Sequence, residues 1–120
     1  FYTLRHMLDA EWSWRLTCQN EPVTGMLWEQ VVIEDLAALN AHWRAEGERL
    51  LAFVRALAPD ADDLQRKPTW MDQSAAIHDI LFHVVNHASG HRSELGWYFT
   101  RLGHSPGDLE YIDYRMGLLT

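Results

Sequence analysis

The chain is predicted to be all-α, a bundle of long helices, on three features of its 120 residues. Apolar residues recur at spacings of three and four over long stretches. No segment alternates apolar and polar residues as a half-buried strand does. Clusters of Asn, Pro and Gly separate the periodic stretches, as turn formers should.

The first helix is expected over Tyr2–Cys18, with Leu4, Met7, Leu8, Trp12 and Trp14 supplying apolar bulk. Asn20, Pro22 and Gly25 then break it. A second helix is expected from Met26 to Ala58, where Trp28, Val32, Leu36, Leu39, Trp43, Leu50, Phe53 and Leu57 recur at three, four or seven. Glu34, Asp35, Arg44, Glu46, Glu48 and Arg49 mostly fill the other positions, as a solvated face does. Pro59 and the acidic run from Asp60 to Asp63 end it, and residues 59–76 read as a loop. Ser74 is the expected N-cap of a third helix, Ala75–Leu102, striped by Ile77, Ile80, Leu81, Val84, Ala88, Leu95, Tyr98 and Leu102. Gly103 fits the position after the helix end, and Ser105 followed by Pro106 reads as a cap opening a short helix to Tyr114.

Long helices on short connections imply a bundle, for which four helices are the usual closed solution. The chain opens at Phe1 directly in a helical pattern, so a further helix upstream is expected to complete a single domain spanning residues 1–120. Six Trp point to a core or cleft of large aromatic side chains.

The balance of 10 Lys+Arg against 17 Asp+Glu gives −7, with no basic cluster, which argues against a nucleic-acid partner. Cys18, the only cysteine, cannot form an intrachain disulfide; it sits among polar residues and reads as an incidental thiol in a reducing compartment. No apolar run is long enough for a membrane span and no secretory signal opens the chain, so a cytoplasmic location and no membrane partner are expected.

Seven histidines are the strongest chemical signal. His83, His87 and His91 fall at i, i+4 and i+8 of the third helix. Two imidazoles one turn apart can share an ion at roughly 2.0–2.1 Å each, but positions eight apart are separated by about 12 Å. A third ligand must therefore come from another helix. Both His83/His87 and His87/His91 satisfy the spacing, and the neighbours Val84, Ala88 and Leu95 favour His87/His91. For the cross-helix ligand, His6, His42, His78 and His104 are available, with His6 and His42 the better placed. A His-x-x-x-His pair alone is equally compatible with histidines that merely pack. Position 88 is Ala, so the His-Glu-x-x-His pattern of zinc peptidases is absent.

The run His83-Val84-Val85-Asn86-His87-Ala88-Ser89-Gly90-His91-Arg92 resembles the signature of the DinB-like (DinB/YfiT-like) family. Leu102-Gly103-His104-Ser105-Pro106-Gly107-Asp108-Leu109 with Asp113-Tyr114 resembles the usual end of such domains. Arg5-His6-Met7-Leu8-Asp9-Ala10-Glu11-Trp12 resembles the family's second-helix motif. The resemblance covers nearly the whole chain. It implies an up-down four-helix bundle whose first helix is absent here, and a three-histidine metal site formed by His6, His87 and His91. It is the resemblance, not the spacing, that chooses His6. The family name refers to damage-inducible bacterial genes and implies no DNA binding.

Three protein ligands leave a coordination position open, which suits catalysis. The resemblance implies a metal-dependent enzyme, a thiol-dependent transferase or isomerase or a hydrolase, acting on a small molecule and using a low-molecular-weight thiol. Imidazoles and a soft thiolate suit Zn²⁺ or Ni²⁺, with Fe²⁺ and Mn²⁺ as alternatives. Glu94 and Asp9 are the residues expected to handle protons or orient a ligand. Trp12, Trp14, Trp97 and Tyr98 are expected to divide between the core and the lining of a cleft. The competing reading is a non-catalytic metal-binding module that forms a homodimer through Tyr111-Ile112-Asp113-Tyr114.

Overall fold

The computed structural model describes residues 1–57, 61–70, 72, 74–107 and 110–117, and among these described residues there are six helices. They are α1 (Tyr2–Cys18), α2 (Leu27–Gln30), α3 (Leu36–Ala56), α4 (Ala61–Gln65), α5 (Ile77–Arg101) and α6 (Tyr111–Arg115). Among the described residues there is no strand, and the fold class is all-α. No helix among the described residues is long and apolar enough to cross a membrane. The expected helix terminators Pro59 and Asp60, and Asp108-Leu109 of the C-terminal motif, lie outside the described residues.

Helix α1 has the predicted bounds because its end is encoded locally. Asn20 takes the left-handed conformation (φ 64°) just past the end, where Asn is among the few side chains that tolerate it. The Glu21 and Asn20 N–H groups then donate to the carbonyls of Leu16 and Thr17, closing a Schellman motif.

The single helix expected over Met26–Ala58 is instead two helices, α2 and α3, separated by an extended stretch. Val31-Val32-Ile33 is a run of β-branched residues, which lose rotamer freedom in a helix. Val31 is accordingly extended (φ −133°, ψ 151°). Asp35 then restarts the helix, its carboxylate accepting from the Ala38 N–H at 2.7 Å. With the register broken, Val32 and Leu36 of the expected stripe are exposed, while Leu39 is buried.

Three smaller expectations also change. The presumed loop 59–76 contains α4. Ser74 does not cap α5, because its hydroxyl donates to the Ala75 carbonyl; the helix starts at Ile77, whose N–H is taken by the Arg66 carbonyl at 3.0 Å. The terminal helix begins at Tyr111 rather than Pro106, since the Ser105 hydroxyl accepts from the Gly107 N–H in a tight turn.

Residues Phe1–Ala88 form one compact unit. One side of α1 carries Leu8 and Trp12 against Leu27, Ile33 and Leu39, with Leu4, Leu16, Val23, Trp28, Val31 and Trp43 around them. Another side carries Cys18 against Ile77 and Ile80 of α5, flanked by Trp14, Phe53, Leu57 and Leu81. Cys18 is therefore a core side chain, surrounded by apolar residues in space rather than by the polar neighbours it has in sequence. Burial pushes its pKa up to about 11, the positive charge of Arg66 opposing only part of the effect, so the thiol stays neutral and unreactive.

Between these apolar faces lies a buried ion pair. Glu46, assigned by pattern to the solvated face, is 2% exposed and receives two hydrogen bonds from the Arg15 guanidinium, that from Nη2 at 3.1 Å. Arg15 also donates to Gln19 at 2.5 Å. A paired, bidentate arrangement offsets the desolvation of both charges, whereas one charge alone would be left uncompensated.

Residues Ser89–Thr120 form the second unit, beginning within α5. Gly103 (φ 82°) ends that helix as predicted, with the His104 and Gly103 N–H groups donating to the Phe99 and Thr100 carbonyls. Tyr98 and Leu102, placed in the buried stripe by periodicity, are exposed.

The ion pair yields a prediction. Arg15→Met, which leaves the buried Glu46 carboxylate only the exposed Arg49 at 3.6 Å, should lower unfolding stability by about 2–4 kcal/mol, and adding Glu46→Leu should recover most of that loss. Urea denaturation of the two single variants and the double variant measures this. Additive losses would mean that the two side chains stabilise the fold independently.

Candidate metal centre

Helix α1 presents His6 and helix α5 presents His87 to each other, 81 residues apart in sequence, with their Nε2 atoms 3.1 Å apart. Their rings meet edge-on, 5.0 Å between centroids. Nine residues separate His6 from Arg15, about two and a half helical turns, so the two side chains leave α1 on opposite sides. Docking Arg15 onto α3 thereby directs His6 away from α3. Further along the unbroken α5, His91 follows His87 by one turn. His6, His87 and His91 together bring one ligand nitrogen each to within 4.8 Å of one another, all three side chains being partly buried.

That donor set fits a divalent transition metal. Two imidazole nitrogens bound to one ion at tetrahedral angles are about 3.3–3.4 Å apart. The 3.1 Å between His6 and His87 already matches this spacing. Separations of up to 4.8 Å need to contract by at most about 1.4 Å, within reach of side-chain rotation. Among the described residues the group contains three histidines and no cysteine or carboxylate.

The surroundings assign roles to further side chains. His91 Nδ1 lies 2.8 Å from Glu94 Oε2 one turn along α5. A carboxylate in that position accepts the Nδ1 proton and leaves the Nε2 lone pair directed elsewhere. Asp9 is buried, and its Oδ1 accepts from the Leu27 N–H at 2.6 Å, tying α1 to the start of α2. His83 is exposed and outside the group of three; its ring packs edge-on against Trp14 (5.3 Å) and lies 5.7 Å from that of His87. Half-buried His42 and exposed His104 and His78 are also outside it, His78 lying 3.2 Å from Asp79. Trp12 belongs to the core, while Trp97 and Tyr98 are exposed and pack on each other, with Arg101 over Trp97.

Two neighbours of the site escape a reading based on apolar stripes. Tyr2 lies parallel to the His6 ring, 6.4 Å between centroids, and Arg5 lies over the rings of Trp28 and Phe1. The available signal is spacing: Phe1–Arg5 and Tyr2–His6 are both i, i+4 pairs, which share a helix face.

An all-helical chain that sets one histidine of its first helix against a His-x-x-x-His pair of a later one is, by its donor set, a metal-competent helical protein. The model of the DinB family matches residues 2–117, and the chain belongs to that family. No curated protein and no solved structure matches it.

The contact between His91 and Glu94 yields a prediction. Glu94→Ala should weaken metal binding about tenfold, by releasing the His91 ring from its preferred tautomer and orientation. Competition against a chromophoric chelator measures the change. Unchanged affinity would reduce Glu94 to a solvated carboxylate.

Proposed function

We propose that the chain is a metal-dependent enzyme in which His6, His87 and His91 hold one divalent ion, Zn²⁺ or Ni²⁺ before Fe²⁺ or Mn²⁺, for thiol-dependent group transfer, isomerisation or hydrolysis of a small molecule. The observation that carries this reading is the group itself: three imidazole donors and no fourth protein ligand among the described residues. The ion supplies Lewis acidity at an open position, lowering the pKa of a water or thiol there or polarising the bond under attack.

The chain's own side chains do the rest. Imidazoles are neutral ligands, so the site keeps the full charge of the ion and favours an anionic thiolate, to which borderline metals are well matched. Glu94, 2.8 Å from His91 Nδ1, holds the His91 ring in orientation and is the carboxylate we assign to receive a proton leaving the reacting molecule. Asp9, engaged with the Leu27 N–H, positions α1 and hence His6. The Tyr2 ring lies parallel to the His6 ring, 6.4 Å between centroids, and gives that side of the group an apolar surface.

A second reading, a non-catalytic metal-binding module that pairs with a copy of itself, is favoured by one observation. Tyr111, Ile112 and Met116 around α6 are all exposed, a cluster that a homodimer would bury.

The enzyme reading is tested with a panel of thiol conjugates and esters. His87→Ala should abolish turnover of every substrate that the wild type accepts, with the helical circular-dichroism spectrum intact. Turnover surviving at the wild-type rate would reject the three-histidine site as the reaction centre.

A further inference from the structure

Among the described residues, Arg5 carries a charge with no counterion. Its Nε is buried and has no hydrogen-bond partner, and among the described residues its side chain makes no ion pair or hydrogen bond. Long cationic side chains in partly buried positions are ordinarily paired, because desolvating a guanidinium without an anion is costly. Here the guanidinium is instead held by rings, 5.0 Å from the centroid of Trp28 and 5.7 Å from that of Phe1. Cation–π contact fixes the plane of the group and leaves its in-plane N–H donors unused. Tyr2 continues the ring system, 6.3 Å from Trp28 on one side and beside His6 on the other. A fixed guanidinium, unpaired among the described residues, therefore stands one residue from a proposed metal ligand, joined to it by the half-buried Trp28 ring and the exposed Tyr2 ring.

We infer that Arg5 is an anion-recognition group, binding the carboxylate of a small organic acid whose apolar body lies on Trp28 and Tyr2, and that this acid is the substrate class of the adjacent histidine site. The second half of the inference rests on the proposed metal centre. The chemistry favours a carboxylate: a planar guanidinium receives a planar carboxylate through two parallel N–H···O bonds, and the flanking rings favour an apolar, flat body over a hydrated inorganic ion. Trp28 reaches its place through the turn between α1 and α2, where Asp9 holds the Leu27 N–H. The same carboxylate that positions α1 therefore also places the ring under Arg5.

Benzoate serves as the probe. In wild-type protein supplied with Zn²⁺, titrated benzoate should move the Arg5 Nε–H resonance saturably in ¹⁵N–¹H NMR, while benzamide, of the same shape but neutral, should leave it in place. Arg5→Gln should weaken benzoate binding by at least about tenfold in calorimetry, and Arg5→Lys, which keeps the charge but loses the fork, should fall between. Equal benzoate binding by wild type and Arg5→Gln would overturn the inference, and tighter binding of inorganic phosphate than of benzoate would overturn the carboxylate class. Metal content of the same samples, read by mass spectrometry, separates the two proposals. Metal retained without benzoate binding overturns the Arg5 site alone, whereas benzoate binding by a wild type that takes up no metal overturns the histidine centre and leaves the Arg5 site standing.

Discussion

The buried pair of Arg15 and Glu46 constrains where every face of α1 points. A helix with apolar residues on more than one side can rotate about its axis at modest cost, exchanging one hydrophobic contact for another. A buried charge is not exchanged in that way, because the bidentate partner of Arg15 is at one place, on Glu46, whose other contact is the exposed Arg49 at 3.6 Å. With Arg15 held on α3, the stripe from Leu4 through Leu16 meets α2 and α3, Cys18 enters the cluster with Ile77 and Ile80, and His6, on the side opposite Arg15, meets His87. Asp9 adds a second polar tie by capping Leu27. The meeting of His6 with His87 is in this sense a consequence of how α1 is docked.

The other constraint is helical geometry. Successive histidines along α5 share a face but rise by about 6 Å per four residues, so one helix can offer an ion two imidazoles and not three. A third ligand from α1 makes the site depend on tertiary structure, and the metal would in return bind the folded chain in preference to the unfolded one. In the proposed centre the two helices, not a fourth ligand, would hold the three imidazoles in place.

Much of this was legible in the sequence where local chemistry decides. Asn20 and Gly103 mark helix ends because few other residues accept a left-handed backbone, and both ends fall where expected. The His-x-x-x-His spacing on α5 needs only a helix to become a potential ligand pair. What was hidden depended on partners distant in sequence. Val31-Val32-Ile33 continues an apolar period that reads as helix, and only its β-branched composition hints at the extended break. Glu46 sits in the middle of the seven-residue gap between Trp43 and Leu50, at a core position occupied by a charge; without Arg15 in view it passes for surface. Cys18 likewise has polar neighbours in sequence and apolar ones in space. The choice of His6 over His42 came from resemblance to a family, since periodicity could not rank two histidines on different helices.

The central claim is that three histidines from α1 and α5 hold one metal ion with a coordination position left open. X-ray absorption spectroscopy on protein loaded with Zn²⁺ tests it most directly. The account predicts one equivalent of metal with an average of three imidazole nitrogens at about 2.0–2.1 Å and a light, exchangeable donor completing the shell. A shell closed by a fourth protein ligand would contradict the open site and favour the non-catalytic module, and failure to take up metal would return the three histidines to packing.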